Sequence, residues 1–135
     1  MKEEQQKKFL ELQILSQQSK ELQQQYAVLD QQLIELSIII DTLNEVKNTK
    51  DKTEILTSLG QGVFIKTNLK QNNEFLVNVG GNVVVAKSMN ELLDLIIKQE
   101  DDIKSILEQI ELEINQIYSR INQLNNDMID LGETS

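Results

Sequence analysis

Two long stretches of the sequence place apolar residues at alternating spacings of three and four. With Leu12 as position a of a heptad, the a and d positions of residues 12–43 are apolar except for Ser19. Residues 89–131 show the same pattern, and Glu100 is their only polar member. A period of 3.5 residues gives a helix one narrow apolar seam, which is typical of coiled coils. The sequence therefore predicts two long helices that pack along their seams.

The inner ends of both predicted helices have local signals. Asn48 and Thr49 are poor helix formers and follow the last seam residue of the first stretch, so we expect the first helix to end near them. Ser88 and Glu91 have the spacing of a capping box, in which two side chains satisfy two backbone amides at a helix start. The second helix is therefore predicted to begin directly after Ser88.

Three segments follow from these boundaries. They are an N-terminal coiled-coil helix over 1–49, an assembly module over 50–88 and a C-terminal coiled-coil helix over 89–135. Helices of about 40 to 45 residues are roughly 60 to 65 Å long. Because the two match in length and the middle segment can double back, we predict an antiparallel coiled-coil hairpin. The chain termini are then expected at one distal tip and the insert at the other end.

The insert has the features of β-hairpins. Its residues alternate as strands do, and it holds four of the five glycines of the chain. Gly60-Gln61-Gly62 separates a first pair of apolar runs, and Gly80-Gly81 separates the runs EFLVNV and NVVVAK. Glycine supplies the positive φ that tight turns need, and the KQNNE segment suits a short link. We therefore predict four strands arranged as two hairpins.

The predicted strands have more apolar side chains than two isolated hairpins can shelter. Both helices use their seams on each other, so we expect neither to be free to cover the strands. Burial of one Val, Ile or Phe stabilises by about 1.5 to 3 kcal/mol, which favours completion by strands of other subunits. The predicted fold class is α+β, with the strands completed by other subunits into a shared sheet or an intersubunit β-barrel. The predicted assembly residues are Leu59, Val63, Phe64, Ile65, Phe75, Val77, Val79, Val83, Val84 and Val85.

Composition limits the chemistry that this chain can perform. It has no histidine and no cysteine, which excludes histidine-based triads, thiol nucleophiles and most zinc sites. The pairs Asp101-Asp102 and Glu111/Glu113 are predicted to be solvated charges rather than acid–base pairs or metal ligands. The GQGVFIKT stretch fails as a phosphate loop, because no glycine directly precedes its lysine. We therefore expect no enzymatic activity, no metal and no cofactor.

Charge and hydropathy limit the partners. The net charge is −9, distributed as −3, +2 and −8 over the three segments. No basic stripe is present for phosphate contacts, so we expect no nucleic-acid binding. The sequence shows neither a signal peptide nor a run of apolar residues long enough to span a membrane, so we expect no membrane association. The absence of cysteine fits a reducing compartment, and we expect a cytoplasmic protein.

Two stretches of the insert carry a resemblance to a known family. LGQGVF at residues 59–64 and VNVGG at residues 77–81 lie between two heptad helices. In this order, they resemble the α-type subunit of prefoldin, a co-chaperone of archaeal and eukaryotic cytosol, over nearly the whole chain. Two hairpins favour the α type over the β type, which has one. The resemblance implies a hetero-hexamer of two α-type and four β-type subunits, in which a double β-barrel platform bears six coiled-coil tentacles.

The resemblance also implies that the chain is part of an ATP-independent holdase. Family members hold unfolded client proteins at the tips of their coiled coils and pass them to a group II chaperonin. Several apolar residues near both chain ends lie outside the seam here and should be partly exposed, although frayed helix ends with incidental apolar side chains remain a competing interpretation. Weak contacts repeated over several tips would hold an extended client by avidity. The predicted client-binding residues, called the tip residues below, are Phe9, Leu10, Ile14, Met128, Ile129 and Leu131.

Two questions stay open at the level of the residues. A structural or adaptor coiled coil that forms a homo-oligomer or filament through its β insert would have the same fold and no client activity. The polar seam residues Ser19 and Glu100 would fix the register, open the coil locally or simply be tolerated, and we expect tolerance.

Overall fold

The computed structural model describes the backbone of residues 2–70 and 74–134 and the side chains of residues 2–70 and 74–130. Two long helices are separated in the chain by two antiparallel β-hairpins, which confirms the predicted α+β architecture. The elements in chain order are α1 (Lys2–Asn48), β1 (Glu54–Gly60), β2 (Val63–Asn68), β3 (Phe75–Asn78), β4 (Val84–Lys87) and α2 (Met89–Thr134).

Both helices pack along the predicted seams. Every a and d side chain that the structure describes is buried or half-buried, including Ser19 and Glu100. Leu124 is 0% exposed. The heptad pattern therefore identified the packed side of each helix, because burial of one apolar stripe removes that surface from water.

The chain divides into two compact units, and each helix contributes to both. In the first unit, Lys8 lies against Asp127 and Glu11 lies against Arg120. Residue numbers therefore rise along α1 while they fall along α2, and the helices are antiparallel in this unit as predicted. The first unit comprises the described parts of residues 1–33 and 101–135, and the second comprises the described parts of residues 34–100.

A small apolar core holds the second unit together. Leu43 of α1 packs with Leu92 and Ile96 of α2, and all three are buried. Phe75 and Val77 of β3 pack against this core from the second hairpin. The prediction that no helix is free to cover the strands is therefore wrong for this hairpin. The reason is Leu92, which lies at a g position and extends the apolar surface of α2 beyond the a/d seam.

Each hairpin closes with a turn that uses glycine. In the first, Gly60 pairs with Val63, and Gly62 in the loop between them has a φ of 80°. In the second, Gly80 has a φ of 111°. Such angles cost glycine no steric strain, and the predicted turns are confirmed. The predicted KQNNE link includes residues 71–73, which lie outside the described part of the chain.

A reciprocal pair of hydrogen bonds caps α2. The Glu91 amide donates to Ser88 Oγ at 3.2 Å, and the Ser88 amide donates to Glu91 Oε1 at 3.2 Å. The predicted capping box is therefore confirmed. Two hydrogen bonds hold the pKa of Glu91 below its usual value, because both favour the charged carboxylate. The bond from the Ser88 amide has the larger effect, and the bond that involves the Ser88 hydroxyl comes second.

The two polar seam residues have polar partners at the side of the seam. The Ser37 hydroxyl donates to Glu100 Oε2 at 3.2 Å across the two helices. Ser19 is only 4% exposed, and its hydroxyl accepts a hydrogen bond from the Gln23 amide at 3.4 Å. The same amide donates to the hydroxyl of Tyr118. Both departures from the apolar pattern are thus satisfied locally, as buried polar groups require.

Candidate functional site

The tip residues outside the seam are exposed, as the sequence predicts. Met128 is half-buried because it occupies an a position of the seam. The side chain of Leu131, the remaining tip residue, lies outside the described residues. The tip residues with 49–58% exposure are Phe9, Leu10, Ile14 and Ile129.

Three tip residues meet in one open groove. Phe9 and Leu10 of α1 and Met128 of α2 line a cavity of about 620 Å³, whereas Ile14 and Ile129 do not line it. On a helix, a side chain contacts neighbours three or four positions away. This spacing would have predicted the other residues that line the groove. The lining residues that the sequence analysis missed are Lys2, Gln5 and Gln6.

Ion pairs join α1 to α2 in the same unit. Lys8 Nζ lies 3.6 Å from Asp127 Oδ2 and 3.7 Å from Glu4 Oε1. Arg120 donates to both carboxylate oxygens of Glu11, with Nε at 2.8 Å and Nη2 at 3.2 Å. This hydrogen bonding by Arg120 holds the pKa of Glu11 below its usual value. The two ion pairs hold α1 against α2 at positions that are close in sequence to Phe9 and Leu10. The backbone that carries these two apolar side chains therefore has a defined position.

The surface of the groove is mostly apolar, and Lys2, Gln5 and Gln6 add polar groups to its lining. Its methionine is flexible and adapts to partners of different shape. In the described part of the chain, no group of three or more His, Cys, Asp or Glu side chains is arranged to hold a metal ion. Among the described residues, neither helix has a stretch apolar enough to cross a bilayer. The arrangement is suited to reversible contact with apolar side chains of a polypeptide.

The β-hairpins form a second candidate surface. Val85 is half-buried, while Phe75 and Val77 cover the core of the second unit and so pack within their own chain. The other predicted assembly residues have 49–64% exposure, and they are Leu59, Val63, Phe64, Ile65, Val79, Val83 and Val84.

The predicted assembly set omits three exposed apolar residues of the strands, which are Ile55, at 36% exposure, and the more exposed Leu56 and Leu76. Leu56 of β1 pairs with Lys66, and Leu76 of β3 pairs with Ala86. Their exposed fractions are 64% and 74%. Strand alternation would have predicted the exposure of Leu56 and Leu76, because each side chain faces away from its neighbours in sequence. The first hairpin therefore exposes apolar side chains on both faces.

Comparison with known proteins places these features in a family. Residues 15–132 match the family described as prefoldin subunit. The chain is 26% identical over 114 residues to prefoldin subunit alpha of Thermofilum pendens, which covers 84% of this chain and 88% of that protein. It is 30% identical over 117 residues to prefoldin subunit alpha of Methanococcus maripaludis, with 87% and 77% covered.

A solved structure shares the fold. A chain of filamentous PFD from Methanocaldococcus jannaschii, determined by cryo-electron microscopy, superposes with a TM-score of 0.75 at 19% identity, covering 87% of this chain and 97% of that one. This likeness concerns the fold alone. The match to the family over most of the chain, together with the alpha-subunit relatives and the two-hairpin insert, shows that the chain belongs to the prefoldin family as an alpha-type subunit.

Proposed function

We propose that this chaperone subunit acts as an ATP-independent holdase, which binds unfolded polypeptides at its tip residues and delivers them to a group II chaperonin in the cytoplasm. The observation that supports the proposal is the open groove lined by Phe9, Leu10 and Met128. Exposed apolar surface of this kind is a common feature of protein interaction sites. Contacts with this apolar surface are non-directional and impose little sequence preference on a client.

Binding at the groove requires no nucleotide. An extended client places apolar side chains on Phe9 and Leu10, and water leaves both surfaces. A single contact of this size is weak, so several tips must engage one client for stable holding. Release follows when individual contacts loosen or when another protein competes for the client.

Assembly with β-type subunits is the second part of the proposal. The exposed strand residues, such as Val63, Phe64 and Val84, lose water when strands from other subunits pair with β2 and β4. A hetero-hexamer of two alpha-type and four beta-type subunits, with the strands closed into β-barrels, satisfies this need. Such an assembly also supplies the several tips that avidity requires.

The test is aggregation of a chemically unfolded enzyme in the presence of the chain assembled with a β-type prefoldin subunit. We expect the assembly to suppress light scattering, and we expect Phe9→Gln, Leu10→Gln and Ile129→Gln together to remove most of this protection. Glutamine is a good helix former, so the helix ends remain intact. The matched control replaces three equally exposed apolar residues elsewhere, Ile34, Ile38 and Leu112, with glutamine. Equal protection by both variants contradicts the assignment of the tip residues.

A homo-oligomer or filament without client activity is the second candidate. The observation in its favour is the fold shared with a chain described as filamentous. Light scattering of the chain alone, and then with a β-type subunit, separates the two candidates. A large particle formed by the chain alone, unchanged by the β-type subunit and inactive toward the unfolded enzyme, supports the filament.

A further inference from the structure

A groove runs along one flank of the coil in the first unit, and neither the tip residues nor the assembly residues line it. It consists of two cavities, of about 580 and 280 Å³, that share Glu21 and Gln25. Both helices contribute, so that residues of α2 such as Ile106 and Glu113 form one wall. We call it the flank groove. From residue 18 to residue 29 of α1 it extends over roughly 16 Å, which matches about three turns of a helix.

The heptad positions explain why the groove lies on this flank. Gln25 of α1 and Ile106 of α2 both occupy g positions, at the side of the seam. The e positions form the other side, where Gln23 and Tyr118 are joined by a hydrogen bond. Along residues 18–29 of α1, the e side is thus bridged by a polar contact, while the g side presents a groove.

The surface of the larger cavity of the flank groove is mostly apolar, whereas the smaller cavity is lined mainly by polar residues. Leu29 and Ile110 belong to the seam and form part of its lining. Val28 and Ile106 are 59% and 44% exposed and stand on opposite helices. The two helices together form one continuous apolar surface. Such a patch indicates an interaction site, whereas scattered single apolar side chains do not.

The charges along the flank groove are negative. Glu21 and Glu113 line it, and among the described residues no lysine or arginine does so. Arg120 also lies at a g position, but its guanidinium is engaged by Glu11. A second copy of this chain, with its net charge of −9, is disfavoured as an occupant by like-charge repulsion. A cationic partner with an apolar face is complementary.

We infer that the flank groove binds amphipathic polypeptide segments that bear lysine or arginine beside apolar residues. The inference rests on the proposed function, because non-native clients expose such segments. The apolar side chains of the segment cover Val28 and Ile106, and its cations lie near Glu21 and Glu113. A client is then held at a second point on the same coil, in addition to the tip residues.

The test uses a fluorescent amphipathic peptide of about ten residues, roughly the length of the groove, built from leucine and lysine at helical spacing. Its binding to the full chain, assembled with a β-type subunit, is measured by fluorescence anisotropy. We expect Val28→Gln with Ile106→Gln to raise Kd by about tenfold or more, since each removes apolar burial. We expect Glu21→Gln with Glu113→Gln to raise Kd severalfold at low salt and to have less effect near 1 M salt, where charges are screened.

The control surface lies on α2 alone. Glu108, Glu111 and Leu112 line a separate cavity that has no residue from α1. Leu112→Gln and the pair Glu108→Gln and Glu111→Gln therefore match the groove variants in chemistry, and we expect them to change Kd by less than about twofold, as surface substitutions away from a contact do. A peptide with glutamate in place of lysine should bind much more weakly to the unaltered protein.

Several results would overturn the inference. They are equal effects of groove and control variants, equal binding of the lysine and glutamate peptides, or a change in particle mass on Val28→Gln with Ile106→Gln, which would make the groove a subunit interface. In the variant with Phe9, Leu10 and Ile129 replaced by glutamine, which removes the apolar contacts at the tip residues, Val28→Gln with Ile106→Gln should still raise Kd by about tenfold or more. If the assembly fails to suppress aggregation while the groove variants still weaken peptide binding, the holdase proposal fails and the groove stands as a peptide site.

Discussion

At the scale of single residues, short polar contacts determine where elements begin and how they face each other. Ser88 and Glu91 satisfy each other's amides at the start of α2. Glu11 and Arg120 join the two helices through two hydrogen bonds. Both contacts lie on the surface, so each contributes modestly to stability and mainly specifies geometry.

The capping contact leads to a first prediction. Ser88→Ala removes the side-chain acceptor of the Glu91 amide, and loss of an N-cap typically costs about 1 kcal/mol of unfolding free energy. Chemical denaturation followed by circular dichroism measures this loss. Ser105→Ala, at an exposed position in the middle of α2, is the control and should be neutral or slightly stabilising, since alanine is the better helix former. A loss at Ser105 as large as at Ser88 contradicts the capping role.

The pair of Glu11 and Arg120 leads to a prediction on pH. Because the folded state lowers the pKa of Glu11 from 4.5, the pair stabilises above that value and its contribution disappears as pH falls through the lowered pKa. Glu11→Gln should therefore lower Tm by a few degrees at most at pH 7 and have no effect at strongly acidic pH. Thermal melts at both pH values measure this, with Glu111→Gln as the control. A Tm difference that grows on acidification refutes the sign of the linkage.

At the scale of elements, the two hairpins differ in what covers them. The second hairpin rests on the core of Leu43, Leu92 and Ile96 through Phe75 and Val77. All residues of β1 are exposed, and the consecutive residues Val63, Phe64 and Ile65 of β2 are exposed as well. A two-stranded hairpin without a covered face is marginally stable. We therefore expect the first hairpin to depend on the proposed assembly more than the second does.

Two phenylalanines test this difference between the hairpins. Phe75→Ala should speed hydrogen exchange in β3 and β4 of the unassembled chain, because it removes apolar packing that contributes on the order of 2 kcal/mol. Phe64→Ala, whose side chain is 57% exposed, should leave exchange in the unassembled chain unchanged. In mixtures with a β-type subunit, Phe64→Ala should instead weaken assembly. Faster exchange from Phe64→Ala in the unassembled chain is the contrary outcome.

At the scale of the whole molecule, stability and assembly are linked. The strand residues are exposed to solvent in the single chain, and in the proposed assembly their burial by other subunits is expected to favour the folded form. Binding that is specific to the folded state raises Tm in proportion to the logarithm of partner concentration. The single polypeptide is therefore expected to be less stable than the same polypeptide within its assembly.

Thermal melts over a range of protein concentrations examine this link. We expect Tm to rise with concentration and to rise further when a β-type subunit is added. Val63→Ser with Val84→Ser should reduce both increases, because these positions lie on exposed strand surface. The matched control pair, Ile34→Ser with Ile38→Ser, lies at exposed positions of α1 and should leave both increases in Tm unchanged. A Tm that is independent of concentration and partner, together with a monomeric mass, contradicts assembly through the strands.

Periodicity and short-range spacing were enough to specify the elements of this protein. The heptads identified α1, α2 and the seam, the glycines identified both turns, and Ser88 with Glu91 identified the start of α2. The exposure of Phe9, Leu10 and Ile129 also followed from heptad positions. These features depend on neighbours within about one helical turn or one strand pair, so the local sequence contains the information.

Contacts between distant segments were decided by the tertiary structure. The covering of Phe75 and Val77 depends on Leu92, which lies outside the a/d seam and meets the second hairpin only through contacts between distant segments. The flank groove forms because residues of both helices, such as Gln25 and Ile106, lie on the same side of the seam and line one cavity. A linear pattern shows which residues are apolar, but only the folded chain determines which of them face each other and which remain open to a partner.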